Sequence, residues 1–554
     1  MIAPRTKAEK DAFELWKRLQ PDDAFVAGIE ECAGAFFVPT EANVKRALRQ
    51  IDAIAKATKD VTVRKFLASL KARLTLPEPA DLPETMVASF FGYMIKEGVV
   101  ADHVRALATA GRKALDAERA HHAGKRWPVG KRALVQLAAS GLSAIVDIVE
   151  KELHDEQALA AVRDLRKAIG RYREAFDLPG FRPEGTFDET YAFFREHGCD
   201  LGRARYYPRA LRDLWDYRET PAQVEAAGLK MLRRELPHFK AVVARLADSY
   251  GCDPTAEAVW AKAKETSGLR PQDILTFLNG VRDRAAAVTD KHVVAINPAY
   301  TALVVETPPY LANTTPSGAA YSIDSLTDHS KETFLATTDE RSNARPTPGE
   351  LLNLLVHEEY GHCVHGSNSY HAFAGRPSIL DILNTSLVCV SEGIAFQREL
   401  EFLPVIQEIA AGKLHGPEED AFAEALRPWG GLEATAKDYE FQTVAWRITR
   451  FLRVIGDARI NSGKQDLVAF IEWAHKTTGL DRSTIYYNVF PAHQILGPGY
   501  ASTYAIIGER IREIQGKALR RGRHLRDFNA YACSIGWPPK SVFEERLETW
   551  VKSG

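Results

Sequence analysis

The residue types best suited to chemistry lie in the segment His357–His362, which has the sequence HEEYGH. Two imidazoles there enclose a carboxylate, and another carboxylate, Glu392, follows 30 positions after His362. Imidazole nitrogens and carboxylate oxygens are zinc ligands, and a carboxylate beside a metal-activated water can serve as its general base. The pattern therefore predicts Zn²⁺ bound by His357, His362 and Glu392, with Glu358 as the base of a hydrolase.

The spacing of the two histidines is unusual for a zinc-binding helix. His357 and His362 are five residues apart instead of four, which separates them by about 140° on a regular α-helix. Both can reach one metal only if the helix contains an extra residue as a π-bulge. Gly361 precedes the second histidine, and glycine tolerates irregular backbone and close approach. The sequence therefore predicts a one-residue bulge between the two histidines.

Other interpretations of these residues stay open. Glu358, His362 and His365 fall within about 60° of one another on an ideal helix and could form a different metal triad. The histidines could also be structural side chains that bind no metal. Glu392 could be neutralised by an arginine in a buried salt bridge instead of by a metal ion.

Two helices are predicted to position these groups. Thr347 is the expected N-cap of the first helix, with Pro348 at its first position. Apolar residues cover most of its circumference, so it should be buried. The second helix is expected to begin near Ser378, with Asp381 at capping-box spacing, and to carry Glu392 within an apolar run. A carboxylate buried there needs a partner, and a divalent metal would provide one.

Three further side chains are candidate donors to a reacting group, namely His493, Tyr500 and Tyr504. The two tyrosines lie one helical turn apart after a Gly-Pro-Gly turn, so both could point into one cleft. An oxyanion formed during hydrolysis needs a donor besides the metal. Ordinary packing is the alternative role for each of these residues.

A small β-sheet is predicted before the first metal helix. Short strand-like segments, broken by proline and glycine, lie between residues 292 and 337. Residues 313–321 are the candidate edge strand, which could pair with the main chain of a bound substrate. A connecting sheet without substrate contact is the alternative.

The histidine segment resembles the His-Glu-x-x-Gly-His zinc motif of dipeptidyl-peptidase III, which has the same spacing. This resemblance implies His357 and His362 as ligands, Glu358 as base and Glu392 as third ligand. The segment 391–395, SEGIA, is instead similar to a Glu-Gly-x-Ala segment of uncharacterised bacterial metallopeptidase-like proteins with a His-Glu-x-x-Pro-Gly-His motif. This chain lacks the proline of that motif.

The segment 493–504, HQILGPGYASTY, is similar to a His…Gly-Tyr-x-x-x-Tyr segment of oligopeptidases related to thimet oligopeptidase and carboxypeptidase Taq. The similarities extend over residues 290–515. Together they imply a gluzincin-type zinc metallopeptidase. Such a protein would have a mostly α-helical, two-lobed fold with a small β-sheet beside the active-site cleft.

Charge and cysteine content restrict the partners and the compartment. The formal net charge of −1 gives no electrostatic basis for nucleic-acid binding. Six scattered cysteines favour a reducing compartment, and we expect Cys363 and Cys389 to be core residues. The N-terminus lacks the apolar core of a signal peptide, and no apolar run approaches the about 20 residues that span a bilayer. We therefore expect a cytoplasmic protein that binds no membrane.

Helical periodicity predicts two regions and no internal repeat. Residues 1–285 should form an N-terminal helical region, in which the clearest helix is Pro221–Tyr250 with Thr220 as its cap. Residues 286–554 should form a catalytic region with the sheet, the zinc-binding helices and the C-terminal helices.

The main functional prediction is a zinc-dependent hydrolase that cleaves peptide bonds of short peptides. One alternative is a zinc-dependent amide hydrolase acting on a non-peptide or modified small natural product. Another is a catalytically silent binding protein on a peptidase scaffold. Four arginines could clamp a substrate carboxylate or form structural ion pairs: Arg345, Arg376, Arg447 and Arg510.

Overall fold

The protein is mostly α-helical with one small β-sheet, as predicted. A computed structural model describes residues 3–308, 317–327, 331–338, 346–372, 378–383 and 389–553. The finer division into regions 1–285 and 286–554 stays a prediction.

The first part of the chain consists of amphipathic helices whose apolar faces form a continuous core. The predicted helix Pro221–Tyr250 has these bounds, and Thr220 and Gln223 form a capping box at its start. The helices before the sheet are α1 (Lys7–Leu19), α2 (Pro21–Val26), α3 (Glu41–Ala57), α4 (Val61–Thr75), α5 (Asp81–Glu97), α6 (Ala101–His122), α7 (Val129–Glu152), α8 (Glu156–Ala175), α9 (Phe187–His197), α10 (Tyr207–Arg209), α11 (Pro221–Tyr250), α12 (Ala256–Ser267) and α13 (Ile274–His292).

Among the described residues, α7 is the one helix that is long and apolar enough to cross a membrane. Within the apolar 18-residue window of this helix, 56% is buried inside the protein. The buried residues of α7 include Leu134, Leu142 and Val149. A buried core helix has the same length and composition. The expectation that no apolar run approaches this length is therefore corrected, and a single helix of this kind is weak evidence of a membrane span.

The sheet contains three strands in the order β1 (Ala302–Glu306), β3 (Lys331–Ala336) and β2 (Gly318–Ile323). The central strand β3 pairs parallel with β1 and antiparallel with β2. The segment 292–298, predicted to be a strand, instead ends α13 and continues as irregular chain, in which Val293 and Val294 are buried. Part of the candidate edge, 317–321, enters the outer strand β2, and 313–316 lie outside the described residues.

The metal helices follow the sheet. Thr347 caps the first of them through its hydroxyl, which accepts from the N–H of Glu350 at 3.1 Å, and Pro348 is its first residue. The helices after the sheet are α14 (Pro348–Leu355), a π-helix (Val356–Cys363), α15 (Val364–Ala372), α16 (Cys389–Ala410), α17 (Pro417–Leu426), α18 (Leu432–Asn461), α19 (Leu467–Thr478), α20 (Arg482–Val489), α21 (Pro491–Gln494), α22 (Tyr500–Arg520), α23 (Leu525–Ser534) and α24 (Lys540–Lys552).

The prediction that the second metal helix begins near Ser378 is wrong. Ser378 starts only a single 3₁₀ turn, where its hydroxyl accepts from the N–H of Leu380 at 3.2 Å. Asp381 does not complete a capping box, because its carboxylate accepts from Arg546 at 2.7 Å. The helix that carries Glu392 begins at Cys389, in the part that the structure describes.

Helix α16 is the central element of the C-terminal part. It packs against the π-helix on one side and against α18 and α22 on others. The π-helix also contacts β2 and β3. These contacts bring the histidine segment, Glu392 and the tyrosines of α22 to one place.

Candidate metal centre

The π-helix turns both histidines toward the same point. The imidazole rings of His357 and His362 have centroids 4.9 Å apart, whereas a regular helix would direct them to different faces. At its end the N–H of Val364 donates to the carbonyl of Glu359, five residues earlier. The predicted bulge is thus confirmed.

Gly361 has one of the two roles predicted for it, close approach, and not the other, tolerance of irregular backbone. It is not among the glycines with positive φ, so backbone freedom does not explain it. A Cβ atom at this position would lie 2.6 Å from the Cβ of Ala395 and 2.7 Å from its Cα. The glycine therefore allows α16 to approach the π-helix closely enough for Glu392 to face the histidines.

Three ligand atoms meet at this junction. The Oε2 atom of Glu392 lies 3.4 Å from Nε2 of His362 and 3.8 Å from Nε2 of His357. Within the described residues, these three side chains are the group whose donor atoms could hold a metal ion. Tetrahedral zinc with bonds of about 2.0–2.2 Å needs ligand atoms about 3.3–3.6 Å apart. The 3.4 Å separation lies within this range, and the 3.8 Å separation exceeds it by about 0.2 Å.

The carboxylate of Glu392 has one oxygen without a hydrogen bond. Oε1 accepts from the Tyr500 hydroxyl at 2.6 Å, but the buried Oε2 has no hydrogen-bond partner among the described residues. Burial alone would raise the pKa of Glu392, but His362, His357 and Tyr500 hold that pKa well below its usual range. An ionised, buried oxygen facing two imidazole nitrogens is what a cation site requires.

His357 is held by a carboxylate that the sequence analysis did not identify. Its Nδ1 lies 2.6 Å from Oε1 of Glu399, a fully buried residue. Arg450 neutralises this carboxylate with contacts of 2.9 and 2.7 Å to its two oxygens. Because a carboxylate accepts, Nδ1 carries the proton and Nε2 keeps its lone pair for a metal.

His362 is oriented by a hydroxyl relay. The carbonyl of Gly536 lies 3.0 Å from Nε2 of His365, which must therefore donate. The Nδ1 of His365 then accepts from Ser391 (3.3 Å), and the Ser391 oxygen accepts from Nδ1 of His362 (2.8 Å). In the neutral form of His362, this order places the proton on Nδ1 and the lone pair on Nε2, directed at Glu392.

The alternative triad of Glu358, His362 and His365 is not assembled. Both ring nitrogens of His365 are engaged in the relay. Burial lowers the pKa of His365 to about 3, so the ring is neutral, as the relay requires. The described donor atoms that converge are those of His357, His362 and Glu392.

Glu358 is a buried carboxylate beside the metal group. It is 9% exposed, and with the described residues it makes no hydrogen bond or ion pair. Burial lowers the pKa of His362, but Glu392 and then Glu358 raise it, and the net direction is upward. The adjacent Glu359, by contrast, is paired with Arg282 at 2.6 Å and is structural.

The three candidate donors are brought together next to Glu392. The Tyr500 and Tyr504 hydroxyls are 3.2 Å apart, and the His493 ring lies 5.9 and 5.6 Å from their rings. Tyr500 already donates its proton to Glu392, so it orients a ligand group. Direct contact of these residues with a reacting molecule stays a prediction.

The turn before Tyr500 is fixed by the N-terminal part of the chain. Trp215 follows a second π-helix, 210–214, and its indole N–H donates to the carbonyl of Pro498 at 2.7 Å. Gly499 has φ +99°, and a Cβ there would lie 2.5 Å from the Trp215 ring. Asp457 accepts from the N–H of Gly499 at 3.1 Å. These contacts set the start of α22 and hence the tyrosine positions.

The remaining sequence predictions have mixed outcomes. Cys363 and Cys389 are buried core residues, as expected. Arg447 is paired with Glu509, and Arg510 with several glutamates of the C-terminal helices, so both are structural. The positions of Arg345 and Arg376 lie outside the described residues.

Comparisons with known proteins identify the fold. No family model and no curated protein matches the chain. A "putative lipoprotein" from Colwellia psychrerythraea is similar with a TM-score of 0.67 and 14% identity over 99% of this chain and 98% of that one. A "putative lipoprotein of unknown function" from Shewanella oneidensis has a TM-score of 0.65 and 15% identity over 98% of both chains. At such identities the likeness shows a shared fold alone.

These findings contradict the predicted gluzincin family and its peptidase activity. The neighbours with this fold are described as lipoproteins, neither is described as a peptidase, and no family supports the motif resemblance. Short ligand motifs report the geometry of a metal site and not the reaction performed on it. The identification as a hydrolase of short peptides is therefore wrong.

The predicted cytoplasmic location is contradicted by the same comparisons. Both neighbours carry the lipoprotein description, a class of proteins that is exported and attached to a membrane. The expectation rested on the cysteine pattern and on the first residues of the chain. Neither feature reports the destination of the protein strongly enough to outweigh this finding.

Proposed function

We propose that this chain is a zinc-dependent binding protein, in which His357, His362 and Glu392 hold Zn²⁺. The observation that carries the proposal is the orphaned Oε2 of Glu392, 3.4 and 3.8 Å from the two imidazole Nε2 atoms. Three protein ligands leave one coordination position for a bound molecule. This is the binding-protein alternative from the sequence, without a peptidase activity.

The hydrogen bonds around the ligands support the proposal. Glu399 and Ser391 select the neutral tautomer of each imidazole that has its lone pair on Nε2, which is the tautomer that a metal at this site requires. Such outer partners typically contribute about 10- to 100-fold to metal affinity.

Elemental analysis tests this function. Protein purified without added metal or chelator should contain about one zinc per chain, a stoichiometry typical of such a site. Glu392→Gln should lose most of it, because an amide oxygen is a weaker ligand than a carboxylate. His238→Asn is the matched control, since His238 is half exposed and its nearest carboxylate is Glu440. A chain that holds no zinc after reconstitution would refute the proposal.

A second candidate function is favoured by the unpaired carboxylate of Glu358. We propose, as this alternative, the hydrolysis of an amide in a non-peptide small molecule. Zinc at the site would supply Lewis acidity. Glu358 would accept the proton of an attacking water and pass it to the leaving amine, a role worth about 10²–10⁴ in rate.

The two candidates are separated by one variant. Glu358→Gln keeps the size of the side chain and removes the base. Mass spectrometry of a mixture of small amides, incubated with wild type and variant, should show cleavage by wild type alone if the protein is a hydrolase. Zinc content should be equal in both, because Glu358 has no ligand role. Absence of turnover with full zinc occupancy supports the binding protein.

A further inference from the structure

We infer that Arg453 forms a carboxylate-binding subsite beside the metal position. The ligand of the site would then be a small molecule that carries a carboxylate group. This inference rests on the proposed zinc site, which it extends by naming the chemical class of the ligand.

Arg453 is the exception among the buried arginines in this part of α18. Arg447 is paired with Glu509, and Arg450 with Glu399. Arg453 is 7% exposed, yet it forms no ion pair with a described carboxylate. Its Nη2 donates to the Asn488 side chain at 2.5 Å, and its buried Nε has no partner in the described part of the chain. A buried cation without a counter-ion is costly unless an anion joins it.

The guanidinium is next to the metal group. Its central carbon lies 5.0 Å from the centroid of the Tyr504 ring. The same ring is nearly parallel to His357 at 6.5 Å, and its hydroxyl contacts the Tyr500 hydroxyl at 3.2 Å. Tyr504 is thus a common neighbour of Arg453 and of the metal ligands, which places the guanidinium one aromatic ring away from His357.

The buried cluster of Glu358, Glu392, Glu399, Arg450 and Arg453 with Zn²⁺ carries a net positive charge, which favours a bound anion. Glu399 and Arg450 neutralise each other, and the formal charges of Glu392 and Glu358 balance those of Zn²⁺. Arg453 then leaves one positive charge. Burial lowers the pKa of His493 well below its usual value, so that ring adds no charge. A monoanion bound at Arg453 makes the cluster neutral, which low dielectric strongly favours.

A carboxylate is the monoanion that the geometry selects. The planar fork of a guanidinium matches two carboxylate oxygens better than a single acceptor atom. Tyr500 and Tyr504 are 8% and 9% exposed, so the subsite has narrow access. It therefore suits a small acid or the carboxylate end of a longer molecule.

Calorimetric titration of the zinc-loaded protein tests the subsite with two matched probes, 3-phenylpropionate and 3-phenylpropanamide. The acid should bind about 10- to 100-fold more tightly than the amide, the range of a charge-assisted hydrogen bond. Arg453→Gln should abolish this preference. Arg459→Gln is the control, because Arg459 lies on the same helix but is paired with Glu225 at 2.7 Å.

The outcomes distinguish this inference from the metal proposal. The zinc content of the wild type and of each variant is measured separately. A wild type that holds no zinc refutes the metal site as well as the subsite. Equal binding of acid and amide by zinc-loaded wild type, or an unchanged preference in Arg453→Gln, overturns the subsite. If Arg453→Gln does not fold, Arg453→Lys takes its place, because lysine keeps the positive charge but lacks the planar guanidinium. Arg453→Lys should lower the affinity for the acid by several-fold. An unchanged affinity overturns the inference.

Discussion

At the scale of single residues, the two histidines differ in what holds them. A buried carboxylate fixes His357, whereas a serine hydroxyl fixes His362. The sequence contained a signal for the first of these partners, because Glu399 follows Glu392 by seven residues and lies on nearly the same helical face. The sequence contained no signal for Arg450, because this residue reaches the site from α18 through tertiary packing alone.

The partners of the histidines should control zinc affinity. Glu399→Gln should lower it by about 10- to 100-fold, because the amide is a weaker acceptor for the Nδ1 proton and leaves Arg450 unpaired. Ser391→Ala should lower it by about 10-fold, since His362 then loses the contact with Ser391 that fixes its tautomer. Competition with a chromophoric chelator measures both. Ser143→Ala is a control, because the Ser143 hydroxyl donates to the carbonyl of Ala139 in its own helix, at 2.9 Å. Affinities equal to wild type in both variants would show that these contacts do not orient the ligands.

At the scale of elements, the close contact between the π-helix and α16 determines the site. The i, i+5 spacing of the histidines was sufficient to predict the π-bulge, since no regular helix can bring them together. The sequence indicated that Gly361 could allow close approach, but it did not identify the neighbour, because Ala395 comes from another helix. The start of α16 was also mispredicted, since Asp381 is used by Arg546 and not by a helix cap.

A methyl group at position 361 should separate the two helices. Gly361→Ala places a Cβ 2.6 Å from that of Ala395, and such overpacking costs about 1–3 kcal/mol. Zinc affinity should fall with stability, because Glu392 moves away with α16. The double variant Gly361→Ala/Ala395→Gly should restore part of both, because it removes the Cβ contact but keeps the Cα of residue 395, 2.7 Å from the added methyl group; denaturant unfolding and zinc titration measure the recovery. Gly280→Ala, with open space around its position, should be neutral or stabilising. Failure of the rescue would contradict the close-contact explanation.

The capping of α14 should make stability depend on pH. Asp438 accepts from the N–H of Gly349 at 2.7 Å, and burial raises its pKa to about 6. The folded state therefore holds the proton more tightly than the unfolded state, where the pKa is about 3.9. Stability from this group is full below the unfolded pKa and is lost as pH rises to about 6, by up to about 3 kcal/mol.

Asp438→Asn removes this titration. The variant should therefore show a smaller loss of unfolding free energy between pH 4 and pH 7 than the wild type. Urea unfolding at a series of pH values gives the unfolding free energy of each protein. The contributions of the other titrating groups cancel in the difference between the two free energies. Parallel pH profiles for both proteins would indicate that Asp438 keeps an ordinary pKa.

At the scale of the whole molecule, composition and periodicity predicted a mostly helical chain with a small sheet, and the structure agrees. The functional class was mispredicted from short motifs, which specify ligands and not the reaction. The division at residue 285 cannot be judged from the sequence, because the contacts that cross it are made by distant residues. Arg203, for example, donates to the side chain of Gln494 at 2.6 Å and pairs with Glu78 at 2.6 Å.

The chain should unfold as one cooperative unit despite its length. Tyr207 donates to Asp457 at 2.9 Å, and Asp216 accepts from Ser541 at 2.8 Å, so side chains before residue 285 are buried against helices after it. Differential scanning calorimetry should show a single transition with similar calorimetric and van't Hoff enthalpies. Two separate transitions would instead support independent regions.

The most direct test of the metal site is a crystal structure of zinc-reconstituted protein with diffraction data collected at the zinc absorption edge. The account predicts one anomalous peak, bonded to Nε2 of His357, Nε2 of His362 and Oε2 of Glu392 at about 2.0–2.2 Å. No peak at this position, or a peak held by Glu358, His362 and His365, would contradict it.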